Sequence, residues 1–289
     1  MEQAATYYSE GTKISATLYR PDGIAGRLVP CVVLCHGFTG IKELILPDYA
    51  RRFASAGFAA LAFDYRGFGA SEGERGRLLW RDQVQDVRNS ITFAQTLEGI
   101  DPERIALWGT SYGAANVIYA AGLDERPKCV VAQVGFGDGG RRLKTRSAEE
   151  LAPLRQMIAN ERRKRVLTGE RTMVDPFMIL ADPESKAFFE NAAKDLPGLK
   201  TQVTLETLEA ILEYEPEAVA DRIAPRALLL LAAELDTVTP PDEFRSVFAR
   251  AGEPKKLVIL PGIRHYEIYK GEPLERSARE AIDWFTLHL

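Results

Sequence analysis

The chain has 289 residues, is 46% hydrophobic and 27% charged, and carries a formal net charge of −4. That is enough apolar material for one large core, and a composition too balanced for wholesale disorder. The acidic balance argues against nucleic acid as the main partner, because phosphate neutralisation needs a concentrated basic surface.

Taken in chain order, the opening MEQAATYYSE has neither a basic flank nor an apolar run, so a cytoplasmic location is expected. Ile14, Ala16 and Leu18 alternate behind a Glu10-Gly11 turn, which predicts an antiparallel hairpin at a sheet edge. Short apolar runs follow at Cys31–Cys35, Phe58–Phe63, Ile105–Trp108, Cys129–Val134, Ala227–Leu231 and Leu257–Leu260. Most are apolar at consecutive positions, the mark of strands buried on both faces. Between them, helical spacing recurs at Val84, Val87, Ile91 and Ala94, at Phe244, Val247 and Phe248, and at Ala278, Ala281, Ile282 and Phe285. The class is α/β: a mostly parallel sheet with helices on both faces. The longest apolar stretch, 227–233, is too short to cross a bilayer, so no membrane partner is expected.

From 138 to 224 no strand-like run appears, and the composition is helical and charged. A structureless loop of that length is implausible inside a compact domain. A helical cap over 138–224, inserted into a core of 1–137 and 225–289, is the better reading. Cys31, Cys35 and Cys129 form no CxxC pair and read as small buried hydrophobes, with Cys35 just ahead of a functional-looking loop.

Arg104 to Gly113 reads RIALWGTSYG, a strand that runs into Gly109-Thr110-Ser111-Tyr112-Gly113 and then a small-residue helix over 114–121. G-x-S-x-G alone is a weak signal, but a strand before and a helix after make it a nucleophile elbow. Glycines two positions to either side let strand and helix approach closely around a strained serine. The serine then needs a base. Of three histidines, His288 lies on the last helix and reads as a surface residue, and His36 reads as a brace for the loop that follows it. His265, in LPGIRHYE after the last strand, lies where a base must lie. Asp236, ending ALLLLAAELD, is the favoured acid, with Glu234 and Asp138 as alternatives. The order Ser111, Asp236, His265 is the one that accompanies such an elbow. Two backbone amides are expected to receive the oxyanion: Tyr112, next to the serine, and Phe38, in the His36-Gly37-Phe38-Thr39-Gly40 loop.

With these residues assembled, the chain resembles the α/β-hydrolase superfamily. The HGFTG loop adds to the likeness, as does 64–71, which is similar to the D-x-R-G-x-G-x-S stretch of esterases and serine aminopeptidase-like hydrolases. Feruloyl-esterase-like and dienelactone-hydrolase-like enzymes resemble it most, although dienelactone hydrolases proper use cysteine where this chain has Ser111. The resemblance implies a serine hydrolase, a carboxylesterase by preference, that cleaves a small ester through an acyl-enzyme. Thioesterase, amidase, peptidase, acyltransferase and C–C hydrolase outcomes stay open on the same triad, as does, more remotely, a non-catalytic binding protein. It implies that Asp64 and Arg66 are structural. No metal or organic cofactor is called for, the implied partner is a small-molecule acyl substrate, and the oligomeric state is open, a homodimer included.

Residues 138–171 hold ten Lys or Arg against five Asp or Glu, a local excess of five positive charges. Exposed helix faces with nearby partners explain it most simply; a lid that attracts acidic substrates is the sharper alternative. Met157, Met173, Phe177, Met178, Phe188 and Phe189 supply apolar material for packing the cap or lining an acyl pocket.

Overall fold

The structure is a computed structural model that describes residues 1–23 and 26–289. The predicted hairpin is formed by β1 (Glu2–Ser9) and β2 (Thr12–Tyr19), joined through Glu10 and Gly11, both at positive φ. The chain continues through β3 (Val29–Cys35), α1 (Leu46–Ser55), β4 (Ala59–Phe63), α2 (Trp80–Thr96), β5 (Ile100–Thr110), α3 (Tyr112–Leu123) and β6 (Cys129–Gln133). Next come α4 (Ala148–Thr168), β7 (Met173–Val174), α5 (Pro183–Ala192), β8 (Val203–Thr204) and α6 (Glu206–Leu212). The chain ends with β9 (Ala227–Ala233), α7 (Pro241–Arg250), β10 (Lys255–Leu260) and α8 (Gly271–His288).

Eight strands form one sheet in the order β1-β2-β4-β3-β5-β6-β9-β10. The hairpin joins it antiparallel, and the other pairings are parallel. The period of two along each strand divides the core. Cys31, Val33, Leu107, Leu228 and Leu230 face one cluster, which α2, α3 and α7 cover. Val32, Leu34, Trp108, Leu229 and Leu231 face the other, which α1 and α8 cover through Tyr49, Phe53, Ala278 and Phe285. All the predicted sheet strands are present. Burial on both faces accounts for the consecutive apolar residues of β3, β4, β6 and β9, whereas edge strand β10 keeps Leu257, Val258 and Ile259 half-buried.

The segment between β6 and β9 is heterogeneous. Helix α4 starts with a Ser147–Glu150 capping box and stops at Gly169 in the left-handed conformation, and Glu161 is its one fully buried residue. A two-strand ladder, β7 with β8, interrupts the expected all-helical character. Beyond it, Val203, Ala210, Tyr214, Ala220 and Ile223 enter the same cluster as the sheet's inner face. A 3₁₀ stretch, Pro216–Ile223, lies so close to α3 that a Cβ at Gly122 would meet Val219 at 2.6 Å. The inserted segment therefore has an outer part and, from 203 onward, a part that belongs to the core layer. No helix among the described residues is long and apolar enough to cross a membrane.

Candidate active site

The carboxyl ends of β5, β9 and β10 carry the residues singled out in the sequence. Ser111 follows β5 with φ 54° and ψ −120°, a conformation a side chain adopts only under strain of roughly 1–3 kcal/mol. Its flanking glycines are obligatory. A Cβ at Gly109 would meet the Gly113 carbonyl oxygen at 2.2 Å, and one at Gly113 would meet the Cys35 carbonyl oxygen at 2.2 Å. Ser111 thus stands at the N-terminus of α3, where unpaired amides favour negative charge.

His265 Nε2 lies 3.2 Å from Ser111 Oγ, and His265 Nδ1 lies 2.7 Å from Asp236 Oδ2. Both members of the His–Asp pair are buried. Asp236 Oδ1 accepts the amides of Val238 and Thr239, each at 2.8 Å, which leaves Oδ2 for the imidazole. With Nδ1–H held by Asp236, Nε2 presents its lone pair to the serine hydroxyl.

The other acids are engaged elsewhere. Glu234 accepts the Gly262 amide at 2.8 Å, and Asp138 binds the Gly140 amide and Lys144. His36 braces its own loop: Nδ1 donates to the Gly37 carbonyl at 3.0 Å, and burial pushes its pKa below the usual value. His288 is half-buried against Trp284, their rings 4.2 Å apart.

The loop 36–40 lies against the elbow, where a Cβ on Gly37 would come within 3.0 Å of Ser111 Cβ. The Phe38 and Tyr112 amides find no hydrogen-bond acceptor among the described residues. Asp64 holds this loop: its carboxylate accepts the Lys42 amide at 2.7 Å, the Lys42 ammonium at 2.8 Å and the Ala70 amide at 2.9 Å. Gly69 (φ +49°) makes room for that carboxylate, since a Cβ there would overlap it at 2.3 Å. Arg66 pairs with Asp86, which Ser9 also contacts. Neither Asp64 nor Arg66 approaches Ser111 by any hydrogen bond described.

Several residues were missed by sequence reasoning. The Thr239 hydroxyl lies within 3.0 Å of Asp236 Oδ2 and donates to the Val134 carbonyl at 2.8 Å; Val134 itself sits at φ 41°. A threonine three residues after an aspartate is a recognisable turn pattern, but the strained valine has no sequence mark. Leu180 projects from the cap beside Ser111. Of the apolar cap residues, Phe188 and Phe189 reach the site, whereas Met173 and Met178 are partly open to solvent. Much of the basic segment is paired: Arg141 with Glu217 and Glu243, Lys144 with Asp138 and Glu215, Arg162 and Arg165 with Glu209, and Arg171 with Glu206, whereas Arg142, beside the same space as Ser111, donates to the Thr237 and Val238 carbonyls. The three thiols are free and buried, burial raising those of Cys31 and Cys35 to about 12. No group of three or more His, Cys, Asp or Glu among the described residues is arranged to hold a metal ion.

A mostly parallel sheet with a strained serine at the β5–α3 turn, backed by a buried His–Asp pair, defines an α/β hydrolase. The family model described as serine aminopeptidase, S33, matches residues 27–270, and the chain belongs to that family. An uncharacterized 31.7 kDa protein of the traX-finO intergenic region of Escherichia coli is 38% identical over 287 residues, covering 97% of each chain. The quorum-quenching protein AidA of Acinetobacter baumannii (strain MDR-ZJ06) is 31% identical, covering 96% of this chain and 91% of its own. The polyketide transferase grgF of a Penicillium species is 27% identical over 90% of this chain and 88% of its own. Among solved structures, DcsB in complex with its substrate analogue superposes with a TM-score of 0.88 at 23% identity, covering 100% of this chain and 99% of that one. These relationships support an enzyme of the hydrolase and acyl-transfer kind.

Proposed function

We propose that the protein is a serine hydrolase that cleaves a carboxylic ester through an acyl-enzyme on Ser111. The carrying observation is the continuous hydrogen-bonded line from Ser111 through His265 to Asp236. His265 takes the Ser111 proton as Oγ attacks the carbonyl carbon, and the oxyanion rests on the Phe38 and Tyr112 amides. The imidazolium, stabilised by Asp236, then gives its proton to the departing alkoxide. Water repeats the sequence on the acyl-enzyme and releases the acid.

A fluorophosphonate probe tests the site directly. Labelling that disappears in Ser111→Ala supports the reading, and an unlabelled, well-folded native protein overturns it. Matched methyl esters, methyl thioesters and methylamides of one acid, followed by acid release, separate esterase from thioesterase and amidase. A second reading, transfer of the acyl group to an alcohol or amine, is favoured by the likeness to a polyketide transferase. It predicts acyl-enzyme formation with little free acid until an acceptor is added.

A further inference from the structure

Two separate spaces open beside Ser111, and they differ in size and in the catalytic group they reach. One, about 200 Å³, is lined by Phe136, Ile179, Ile211 and Val238 and does not reach His265. The other, about 30 Å³, contains His265 and is walled by Leu44, Phe188, Phe189 and Tyr266. Phe38, Leu180 and Ser111 border both and form the partition.

Proton transfer decides which part of a substrate goes where. The leaving oxygen must come within hydrogen-bond reach of His265 Nε2, so it occupies the small space, and the acyl group extends into the large one. A water needs about 10–15 Å³ of such space. The His265 side therefore admits roughly two or three heavy atoms, and the acyl side about a dozen or more.

The small chamber's wall is anchored rather than loose. Phe188 stacks on Tyr266 with ring centroids 4.3 Å apart, and the Tyr266 hydroxyl donates to Ser185 Oγ at 2.7 Å. Asp182 caps α5 by accepting the Ser185 amide at 2.7 Å. The helix that carries Phe188 and Phe189 is thereby fastened to the residue that follows His265.

We propose that Phe188 and Phe189 restrict the leaving group, so that the enzyme selects esters of one- or two-carbon alcohols joined to a larger acyl group. This rests on the acyl-enzyme reading above. The bond formed is Ser111 Oγ to the acyl carbon, and the bond broken is that carbon to the alkoxide oxygen. The alkoxide takes the serine's proton through His265 and leaves as a small alcohol. Water then occupies the same space for deacylation.

The test measures kcat/KM for methyl, butyl and benzyl octanoate by acid release, in the native protein and in Phe188→Ala, Phe189→Ala and the milder Phe188→Leu. The native protein is expected to prefer methyl over benzyl by ten-fold or more. The alanine variants should narrow that ratio at least ten-fold by gaining on the benzyl ester, with Phe188→Leu in between. A native protein that cleaves benzyl octanoate as readily as methyl octanoate overturns the proposal, as does an unchanged ratio in folded variants. Either result with Ser111-dependent turnover intact removes only the size restriction. Turnover that survives Ser111→Ala removes the underlying reading as well.

Discussion

The Tyr269 hydroxyl lies 2.8 Å from Thr110 Oγ1, so the residue before Ser111 is tied to the short helical turn just after His265. Thr110 is buried and Tyr269 half-buried, and the bond links the segments that carry Ser111 and His265. Tyr269→Phe removes it without changing shape. The expected loss is about 1 kcal/mol in urea unfolding, together with a several-fold lower kcat and a KM close to native. An unchanged kcat would show that the His265 loop holds its position without this tie.

Asp236→Asn keeps an acceptor for the Val238 and Thr239 amides but turns an NH₂ toward His265 Nδ1. The imidazole must then carry its proton on Nε2, where it cannot accept from Ser111. A fall in kcat of about 10⁴-fold is expected with folding intact. Steady-state kinetics alongside thermal melting measure it, and a loss of less than ten-fold would point to another acid.

Strain at Ser111 has a measurable counterpart in stability. Glycine relieves roughly 1–3 kcal/mol of backbone strain at φ 54° and gives back about 0.5–1 kcal/mol as unfolded-chain entropy. Ser111→Gly should therefore be about 1 kcal/mol more stable than Ser111→Ala, both being inactive. Equal denaturation midpoints would mean that the elbow relaxes in the absence of the hydroxyl.

His36 predicts an acid-side instability. Burial lowers its folded pKa below the ordinary 6.5, so between the two values the unfolded chain binds the extra proton. Its contribution is fully present above about pH 6.5 and is lost as pH falls through that window toward the folded value. Urea unfolding from pH 7.5 to 5 should show a shallower pH slope for His36→Gln than for the native protein. Parallel slopes would exclude His36 as the titrating group.

The paired cap predicts ordinary salt behaviour. Glu206, Glu209, Glu215, Glu217 and Glu243 pair in space with Arg141, Lys144, Arg162, Arg165 and Arg171 although they are remote from them in sequence. The kcat/KM values of an anionic ester and its neutral analogue should respond alike between 20 and 300 mM salt, conditions that change screening by roughly three- to four-fold in length. A rise at low salt confined to the anion would restore the electrostatic lid.

This pairing also shows where the sequence stops being legible. A count along residues 138–171 finds a positive excess, because the neutralising carboxylates arrive later in the chain. The sheet was readable since burial on both faces forces runs such as Ala227–Leu231, and the site was readable since Ser111, Asp236 and His265 each follow a strand end. Helix α1 escapes such reading: Leu46, Tyr49, Ala50 and Phe53 keep helical spacing, but the run is 10 residues long and opens on Pro47. The partition by Leu180 and the return of Tyr214 to the core depend on contacts between distant segments that no local period encodes.

Asp64 sits at the bottom of a chain of dependence. Through the Lys42 amide and ammonium its carboxylate holds the end of the loop that carries Phe38, while no hydrogen bond among the described residues joins it to Ser111. On the function proposed above, the aim of the Phe38 amide is therefore inherited from an ion pair sealed behind the loop. On that reading, a lesion there would pass for faulty chemistry although Ser111, His265 and Asp236 keep their places.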